Sequence, residues 1–263
     1  SLDYLISVDN GAQQDRIHGG TQGLALALSN QLTDELELNQ PIAQVKHERE
    51  GVLVTCKNGD QFEAAKLILA IPPNRLLRVD FDPPLPSTKD QMWQRMPAGT
   101  CIKCVAQYAT PFWREQGLSG QAIGLDNDLL VNVTFDNTEE GKNSGLLMGF
   151  IEGNLARYWG QRSEAARRRA VLACFAKYFG EQALSPVDYV DKDWSQDEWT
   201  RGCYAASFGV GGWTEFGQHL ASPIGPIHFA GTETAQDWFG YFEGALSAAE
   251  RAVSEILVGH QVE

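Results

Sequence analysis

The closing segment of the chain, residues 228–257, combines a glycine-rich turn with the start of a helix. Its sequence, HFAGTETAQDWFGYFEGALSAAERAVSEIL, predicts a buried strand ending at Ala230, a tight turn at residues 231–234 and a long helix opening near Gly240. A helix N-terminus carries unpaired N–H groups and about half a positive charge. The small residues around it let a flat ligand approach closely. The segment therefore suits a phosphate group or the electron-rich edge of a ring.

Lys103 is a second residue that could do chemistry. It follows two apolar residues in a strand-like stretch, where a lysine is a poor choice for a core because buried lysines are rare without a partner. We therefore expect a functional role for its ammonium group.

The cysteines predict neither a disulfide framework nor a metal site. There are five of them, an odd number, which favours a reducing compartment. Cys101 and Cys104 have the spacing CxxC, but the chain offers no second pair and no nearby histidine, so we expect no bound metal.

Strands and helices at both ends of the chain must position these groups. Residues 52–64 predict a hairpin with its turn at 57–60, and residues 66–71 predict a strand buried on both faces. A Gly-rich turn at residues 18–21 predicts the start of a leucine-rich helix. In the closing helix, apolar residues recur at three- and four-residue steps and predict the buried face: Phe242, Ala245, Leu246, Ala249, Ala252, Val253 and Ile256.

The middle of the chain has a sequence pattern typical of a mixed sheet, with strands predicted at residues 102–108, 129–135 and 146–151. A helix is predicted from Glu164 to Phe179, ended by Gly180. This order predicts that the first and last parts share one domain and that the middle is inserted into it.

Composition excludes some classes of function. The chain has 263 residues, 43% of them hydrophobic, and a formal charge of −13, which argues against nucleic acid as a partner. No apolar run reaches the roughly 20 residues of a membrane span, and no segment looks like a signal peptide. We therefore expect a cytoplasmic protein with neither a nucleic-acid nor a membrane partner.

Five segments, taken in order, resemble the flavin-containing monoamine oxidase family over essentially the whole chain. They are NGAQQDRIHGG at 10–20, LILAIPP at 67–73, RMPAGTCIKC at 95–104, DWSQDEWTRGCY at 193–204 and HFAGTETAQDWFGYFEGA at 228–245. That family holds the pyrophosphate of FAD with a strand–GxGxxG–helix unit, and this sequence contains no GxGxxG. The resemblance therefore implies a C-terminal fragment of a soluble, bacterial-type member.

The resemblance implies catalytic roles for three residues. Lys103 matches the lysine that hydrogen-bonds a water next to flavin N5. Tyr204 and Tyr241 match the two tyrosines that stand before the flavin and guide the amine between them, which suits an amine through cation–π attraction.

It also implies the residues that contact cofactor and substrate. Cys203 matches the cysteine that forms a thioether with the flavin in the mitochondrial members, so FAD could be covalent here. The other implied FAD contacts are Trp194, packed near the ring, Val45 at the adenine, and Gly231, Thr232, Gly240, Tyr241 and Phe242 along the FAD chain and ring. Ile6 and Gln13 match positions that line the substrate cavity.

The implied fold mixes α+β and α/β structure. Residues 1–92 and 198–263 are expected to form part of an FAD-binding domain, with the loop 1–17 lining the substrate cavity. Residues 93–197 are expected to form an inserted substrate domain with a mixed sheet flanked by helices. An exposed apolar patch is expected on the FAD-binding part, and such a patch favours pairing with another copy into a homo-oligomer.

The implied activity is oxidation of an amine to an imine, which hydrolyses to an aldehyde while O₂ becomes hydrogen peroxide. Two alternatives stay open. One is a polyamine, putrescine or L-amino-acid oxidase of the same fold, although an amino-acid oxidase needs an arginine for the carboxylate. The other is a non-catalytic domain without flavin, because the pyrophosphate cradle is missing and the isolated fragment could lack FAD.

Overall fold

A computed structural model describes residues 7, 10–12, 14–15, 17–32, 35–125 and 129–259. The chain divides into two compact units. One comprises Ser1–Pro41 and Cys56–Asp60, and the other comprises Ile42–Thr55 and Gln61–Glu263.

The first unit contains helix α1, Gln22–Ser29, and the turn at residues 57–60. The predicted leucine-rich helix is confirmed, but none of its residues is buried. In the turn, Asp60 accepts hydrogen bonds from the side-chain amides of Gln40 and Asn58, and Gly59 has a φ of 95°. Such a φ is readily adopted only by glycine, which explains the Asn-Gly pair at this turn.

Two smaller sheets are built from strands between residues 42 and 82 and from one strand near residue 228. The first has the order β3–β2–β1–β5, formed by Ile42–His47 (β1), Val52–Cys56 (β2), Gln61–Ala64 (β3) and Asp80–Asp82 (β5). The hairpin between β2 and β3 confirms the prediction. The second sheet pairs β4, Leu67–Leu69, in parallel with β11, Ile227–Phe229. Strand β4 is shorter than predicted, and only its last residue is fully buried, so it is not buried on both faces.

A five-stranded antiparallel sheet fills the middle of the chain. Its order is β10–β6–β9–β8–β7, formed by Cys101–Tyr108 (β6), Ala122–Ile123 (β7), Val133–Asp136 (β8), Gly145–Glu152 (β9) and Asp188–Asp193 (β10). The strands predicted at 102–108 and 146–151 are confirmed. The strand predicted at 129–135 is wrong in its bounds, because Leu129, Leu130 and Val131 are buried in the core as a loop that precedes β8.

The remaining α-helices are short except for two. They are Pro73–Leu76 (α2), Ser87–Gln94 (α3), Phe112–Glu115 (α4), Gly153–Trp159 (α5), Glu164–Phe179 (α6), Gly212–Phe216 (α7) and Phe242–Gly259 (α8). Helix α6 has the predicted bounds: the Ser163 hydroxyl accepts from the amide of Ala166 at its start, and Gly180 follows its end with a φ of 86°. None of the helices in the described residues is long and apolar enough to cross a membrane.

The second unit contains two clusters of buried residues. One lies on a face of the five-stranded sheet, where Ile102 and Cys104 of β6 and Ile151 of β9 pack with Phe175 of α6. The other joins Val45 to Trp93, Phe229 and their neighbours from the two smaller sheets. Alternation along β6 explains the first cluster, because even-numbered residues of this strand point into it.

Helix α8 does not bury the face that its apolar residues predict. Ala248 and Ala252 are buried, whereas Phe242, Leu246 and Val253 are exposed. The inward side instead carries the half-buried pair Arg251 and Glu255, which bind groups of β11 and the following turn. Polar contacts therefore orient this helix, and the described structure leaves its larger apolar side chains exposed.

Lys89 on α3 is a deeply buried charged residue, at 3% exposure. Its ammonium donates to the carbonyls of His219 and Leu220 at 2.5 and 3.0 Å and lies 4.0 Å from the centre of the Phe229 ring. Burial, and after it the nearby Arg251, lowers the pKa of Lys89 from 10.5 to about 7.

This environment predicts a pH-dependent contribution to stability. Between about pH 7 and the usual lysine pKa of 10.5, the unfolded chain binds more protons at this site than the folded chain, so stability rises with pH. The free energy of unfolding of the wild type, minus that of Lys89→Met, is expected to increase by about 2 kcal/mol between about pH 7 and pH 9. Urea unfolding at several pH values measures it, with Lys177→Met on the exposed side of α6 as the control. A difference that does not change with pH would contradict this assignment.

Candidate active site

Two short segments pair in an antiparallel manner beside the start of β6. The amide of Ser207 donates to the carbonyl of Pro97 at 3.2 Å, and the amide of Gly99 donates to the carbonyl of Ala205 at 3.3 Å. The amide of Cys203 donates in turn to the carbonyl of Gly99 at 2.9 Å. These three bonds fix the backbone that carries Cys203 next to the strand that carries Lys103.

The pairing depends on glycines because the two backbones approach very closely. A Cβ on Gly99 would collide with the carbonyl oxygen of Cys203, and a Cβ on Gly202 would collide with the carbonyl oxygen of Gly99. Gly202 also has a φ of 146°. The Cys203–Tyr204 peptide bond is cis. Side chains at either glycine would therefore push the two segments apart.

The open face of the five-stranded sheet brings four side chains together. In the β6–β9 register, Cys101 lies opposite Glu152 and Lys103 lies opposite Phe150, on the face away from the core cluster. Tyr204 covers this face. Its hydroxyl donates to Oε1 of Glu152 at 3.1 Å, and its ring meets that of Phe150 edge-on at 5.7 Å between centroids.

Lys103 is half-buried, and its ammonium makes no hydrogen bond or ion pair with any other residue of the described chain. Lys192 of β10 lies opposite Lys103 in the β10–β6 register, but its ammonium has partners. It pairs with Asp197 at 3.1 Å and lies 5.4 Å from the Trp194 ring. The ammonium of Lys103 is therefore available to bind a ligand or a water.

A chain of polar groups links the two cysteines of the site to a carboxylate. The Cys101 thiol donates to the Tyr204 hydroxyl at 3.9 Å, and hydrogen bonding with the Cys203 thiol contributes to the pKa values of both cysteines. The bond with Cys101, followed by burial, raises the pKa of the Cys203 thiol, whereas the bond with Cys203 lowers the pKa of Cys101. Of the two, Cys101 therefore ionises more readily.

Cys104 does not take part in this arrangement. It lies three positions after Cys101 and points to the opposite face of β6, where burial raises the pKa of its thiol to about 12. The CxxC spacing therefore does not form a chelating pair. In the described residues no group of three or more metal-binding side chains occurs.

The closing segment is organised around the hydroxyl of Thr232. This hydroxyl accepts from the amide of Gly240 at 2.6 Å and donates to the carbonyl of Tyr241 at 3.1 Å, which ties the turn to the start of α8. Gly244 packs so tightly here that a Cβ would meet Thr232 Oγ1 and the carbonyl of Trp238. One side chain thus fixes the position of the helix N-terminus.

Arg251 of α8 supports the same turn from the other side. Its guanidinium donates to the carbonyl of Phe229 at 2.7 Å and to the hydroxyl of Thr234 at 2.9 Å, and that hydroxyl donates to the carbonyl of Gly231. A second guanidinium nitrogen binds Glu255, which also contacts Nδ1 of His228 at 2.9 Å.

Glu233 joins the closing turn to the segment that carries Tyr204. It is only 6% exposed, and its Oε1 accepts from the amide of Ala206 at 3.1 Å. Because Ala206 belongs to the strand-like pair with Ala98, this carboxylate couples the glycine turn to the open face of the sheet.

Most of the predicted site residues fall into two groups. Lys103, Cys203 and Tyr204 gather at the open face of the sheet, and Gly231, Thr232, Gly240 and Phe242 lie in or next to the closing turn, with the ring of Tyr241 against Trp238 at 5.7 Å. Trp194 sits beside Lys192, and Val45 is fully buried on β1. Ile6 and Gln13 lie outside the described residues.

Sequence reasoning missed Cys101, Phe150, Glu152 and Glu233. Cys101 carried a signal, because it lies two residues before Lys103 and so on the same face of β6. The other three depend on strand register and on a long-range contact, which the sequence pattern does not specify.

Comparison with known proteins identifies the family of the chain. The family model described as flavin containing amine oxidoreductase matches residues 3–257. The chain is 44% identical over 255 residues to a Mycobacterium tuberculosis protein described as a flavin-containing monoamine oxidase, AofH, covering 97% of this chain and 55% of that protein. It is 38% identical over 254 residues to human flavin-containing amine oxidase B, covering 96% of this chain and 49% of the relative.

Solved structures give the same result. A putrescine oxidase bound to putrescine matches with a TM-score of 0.87 at 38% identity, over 91% of this chain and 53% of its own. Cyclohexylamine oxidase from Brevibacterium oxydans IH-35A matches with a TM-score of 0.86 at 30% identity, over 92% and 53%. The fold is therefore that of FAD-dependent amine oxidases, and the chain belongs to the flavin-containing amine oxidoreductase family. It spans about half the length of these relatives.

The Thr232 hydroxyl predicts a clear mutational result. Thr232→Val keeps the shape but removes both hydrogen bonds, so we expect a loss of about 2 kcal/mol in the free energy of unfolding. Thr232→Ser keeps the hydroxyl and is expected to retain most of that stability. Urea unfolding and the hydrogen-exchange rate of the Gly240 amide measure the effect. Equal stability and equal exchange in the two variants would contradict the role given to Thr232.

Glu255 predicts a loss of stability in acid. Burial favours the neutral carboxyl, but the hydrogen bonds from His228 and Arg251 outweigh it and lower the pKa of Glu255. Its contribution is therefore present above the usual value of 4.5 and disappears as the pH falls through the lowered pKa. The stability advantage of the wild type over Glu255→Gln should shrink below about pH 4.5. An advantage that persists unchanged in acid would show that the carboxylate charge is unimportant.

Proposed function

We propose that the protein containing this chain binds FAD and oxidises a primary or secondary amine to an imine, which hydrolyses to an aldehyde. The observation that carries the proposal is the ammonium of Lys103. It has no hydrogen-bonding partner among the described residues and shares one face with Tyr204 and Cys203. A half-buried ammonium without a partner contributes little to stability and is useful next to a flavin.

The residues present fit a flavin in three respects. Gly231 and Gly240 have φ values of 94° and 85°, which favour glycine. Because glycine has no side chain, a ligand could approach the backbone of the closing turn closely at these two positions. Helix α8 begins at Phe242, and the first N–H groups of a helix have no acceptor within it. The positive end of the helix suits the ring edge at which negative charge accumulates on reduction.

A bound flavin would supply two-electron chemistry, through which the two electrons and two protons lost by the amine reduce O₂ to hydrogen peroxide. Lys103 would hold a water next to the ring. Glu152 fixes the Tyr204 hydroxyl and so the orientation of that ring, while Tyr241 is fixed through Trp238. The two tyrosine faces would hold and orient the amine through cation–π attraction.

Charge favours an amine over an amino acid as the substrate. Glu152 places a carboxylate at 3.1 Å from the Tyr204 hydroxyl, so a substrate carboxylate at that point would be repelled, whereas an ammonium would be attracted. The formal charge of −13 acts in the same direction over a longer range.

We further propose that the two core clusters correspond to two domains. The cluster on the five-stranded sheet draws its residues from 102–189, and the other draws on residues 45–96 and 206–229. This separation supports an inserted substrate domain at 93–197 within an FAD-binding domain.

Substitution of Lys103 tests the proposed function. Lys103→Met should lower the rate at which an amine bleaches the visible flavin bands, or the rate at which O₂ restores them, by roughly ten- to a hundredfold. Lys192→Met is the matched control, since Lys192 lies opposite on the same sheet but is bound to Asp197. Rapid mixing without oxygen, followed by aeration, separates the two rates. Equal effects in both variants, or no bleaching by any amine in flavin-loaded protein, would overturn the proposal.

Covalent attachment through Cys203 is a separate proposal. We expect the flavin absorbance to stay with the acid-precipitated protein, and Cys203→Ala to release it into the supernatant. Cys174→Ala, at a buried cysteine of α6, should leave the flavin in the pellet. Flavin released from the wild-type protein would show a noncovalent site.

A further inference from the structure

We propose that Asp197 and Asn74 together fix Thr200 and so act as positioning residues for Tyr204. Asp197 lies in the turn that leads to Tyr204, whereas Asn74 lies on α2, 126 residues before Thr200 in sequence. The hydrogen bonds belong to the chain itself. Only their consequence for the reaction rests on the proposed function.

One carboxylate oxygen of Asp197 organises the turn. Its Oδ1 accepts from the amides of Trp199 and Thr200 and from the Thr200 hydroxyl, each at 3.1 Å. The main-chain carbonyl of Asp197 accepts from the amide of Arg201 at 3.0 Å. The bond from the Thr200 amide, and after it the bond from Lys192, lowers the pKa of Asp197 to about 2, so the carboxylate is charged at neutral pH. The turn is therefore built around one charged acceptor.

Asn74 reaches the same turn from α2. Its Nδ2 donates to the carbonyl of Thr200 at 2.9 Å. Its Oδ1 is buried and has no hydrogen-bond partner among the described residues. Reversing the amide would not help, because Oδ1 would then face the Thr200 carbonyl oxygen. An apolar residue here would avoid the cost of a buried acceptor without a partner, so the bond to Thr200 is what this asparagine contributes.

Thr200 is thus held through all three of its hydrogen-bonding groups. Asp197 binds its amide and hydroxyl, and Asn74 binds its carbonyl. The next fixed point is the amide of Cys203, which donates to the carbonyl of Gly99 at 2.9 Å. Only two residues separate these fixed points, so the backbone between them has little freedom.

Tyr204 follows directly after this restrained segment. Its hydroxyl binds Glu152 at 3.1 Å, but a single bond at the tip of a side chain does not fix the plane of the ring. The ring face needs a fixed backbone as well, and the contacts of Thr200 supply it from one side. Loss of these contacts would leave the sheet intact and would allow the Tyr204 ring several orientations, which slows a reaction that depends on orientation.

Substitutions of Asp197 test the role of its Oδ1. Asp197→Ala removes the bonds to Oδ1, whereas Asp197→Asn keeps an oxygen that can accept them. At saturating amine, we expect the limiting rate of anaerobic flavin bleaching to fall roughly tenfold in Asp197→Ala and to recover in Asp197→Asn. Lys192→Met removes only the partner of Oδ2 and should react as the wild type does. Equal losses in all three variants would overturn the proposal, because they would show that the ion pair matters and the turn does not.

Asn74→Leu separates positioning from stability. Leucine has a similar size, and it removes both the bond to Thr200 and the buried acceptor without a partner. The midpoint of urea unfolding is therefore expected to stay close to that of the wild type, while the limiting bleaching rate falls roughly fivefold. Lower stability with an unchanged rate would show a purely structural role and would overturn the proposal. This variant also decides if Asp197→Ala does not fold.

Hydrogen exchange tests the contacts of Thr200 without any amine. The Cys203 amide should exchange faster in flavin-loaded Asp197→Ala and Asn74→Leu than in the wild type, and at the wild-type rate in Asp197→Asn. Equal exchange in all four proteins would overturn the proposal. A wild-type protein that no amine bleaches would instead refute the proposed function, and exchange would still decide whether Asp197 and Asn74 fix this segment.

Discussion

The close pairing of two backbone segments, residues 97–99 and 203–207, is the interaction on which the site depends. Gly99 both donates and accepts in this pairing, and the absence of a Cβ at Gly99 and Gly202 allows it. Without it, Tyr204 would not cover the face of β6 and β9, and its hydroxyl would not meet Glu152 and the Cys101 thiol. A few main-chain hydrogen bonds thus bring together residues that are about a hundred positions apart in sequence. Their formation orders an otherwise irregular loop, which costs conformational entropy.

Buried polar groups then connect this face to the closing turn. Glu233 binds the amide of Ala206, and Arg251 binds the carbonyl of Phe229 and the Thr234 hydroxyl. Such contacts are directional and are costly to leave unmade in a buried place, so they specify one arrangement of the turn rather than merely stabilising it. These contacts therefore fix the closing turn relative to the open face of the sheet. A site that orients both a cofactor and a substrate requires such fixed positions.

Local sequence patterns predicted several of the elements but not the face that each one buries. The hairpin at β2–β3, the strands β6 and β9 and the bounds of α6 follow from alternation, turn residues and capping, which are local. The buried side of α8 was mispredicted because Arg251 and Glu255 find partners distant in sequence, and these outweigh the apolar stripe. Within the site, Lys103 and Tyr204 came from the family resemblance, whereas Glu152 required the β6–β9 register, which no single strand encodes.

The most direct test of the account is the effect of Gly99→Ala on the anaerobic bleaching of bound flavin by an amine. Gly209→Ala is the matched control, since a Cβ there meets nothing within 4 Å. Gly99→Ala should keep its far-ultraviolet circular dichroism but react roughly a hundredfold more slowly, because the added Cβ displaces the backbone of Cys203 and Tyr204. Gly209→Ala should react as the wild type does. A folded Gly99→Ala protein that reacts at the wild-type rate would show that this pairing does not position the site.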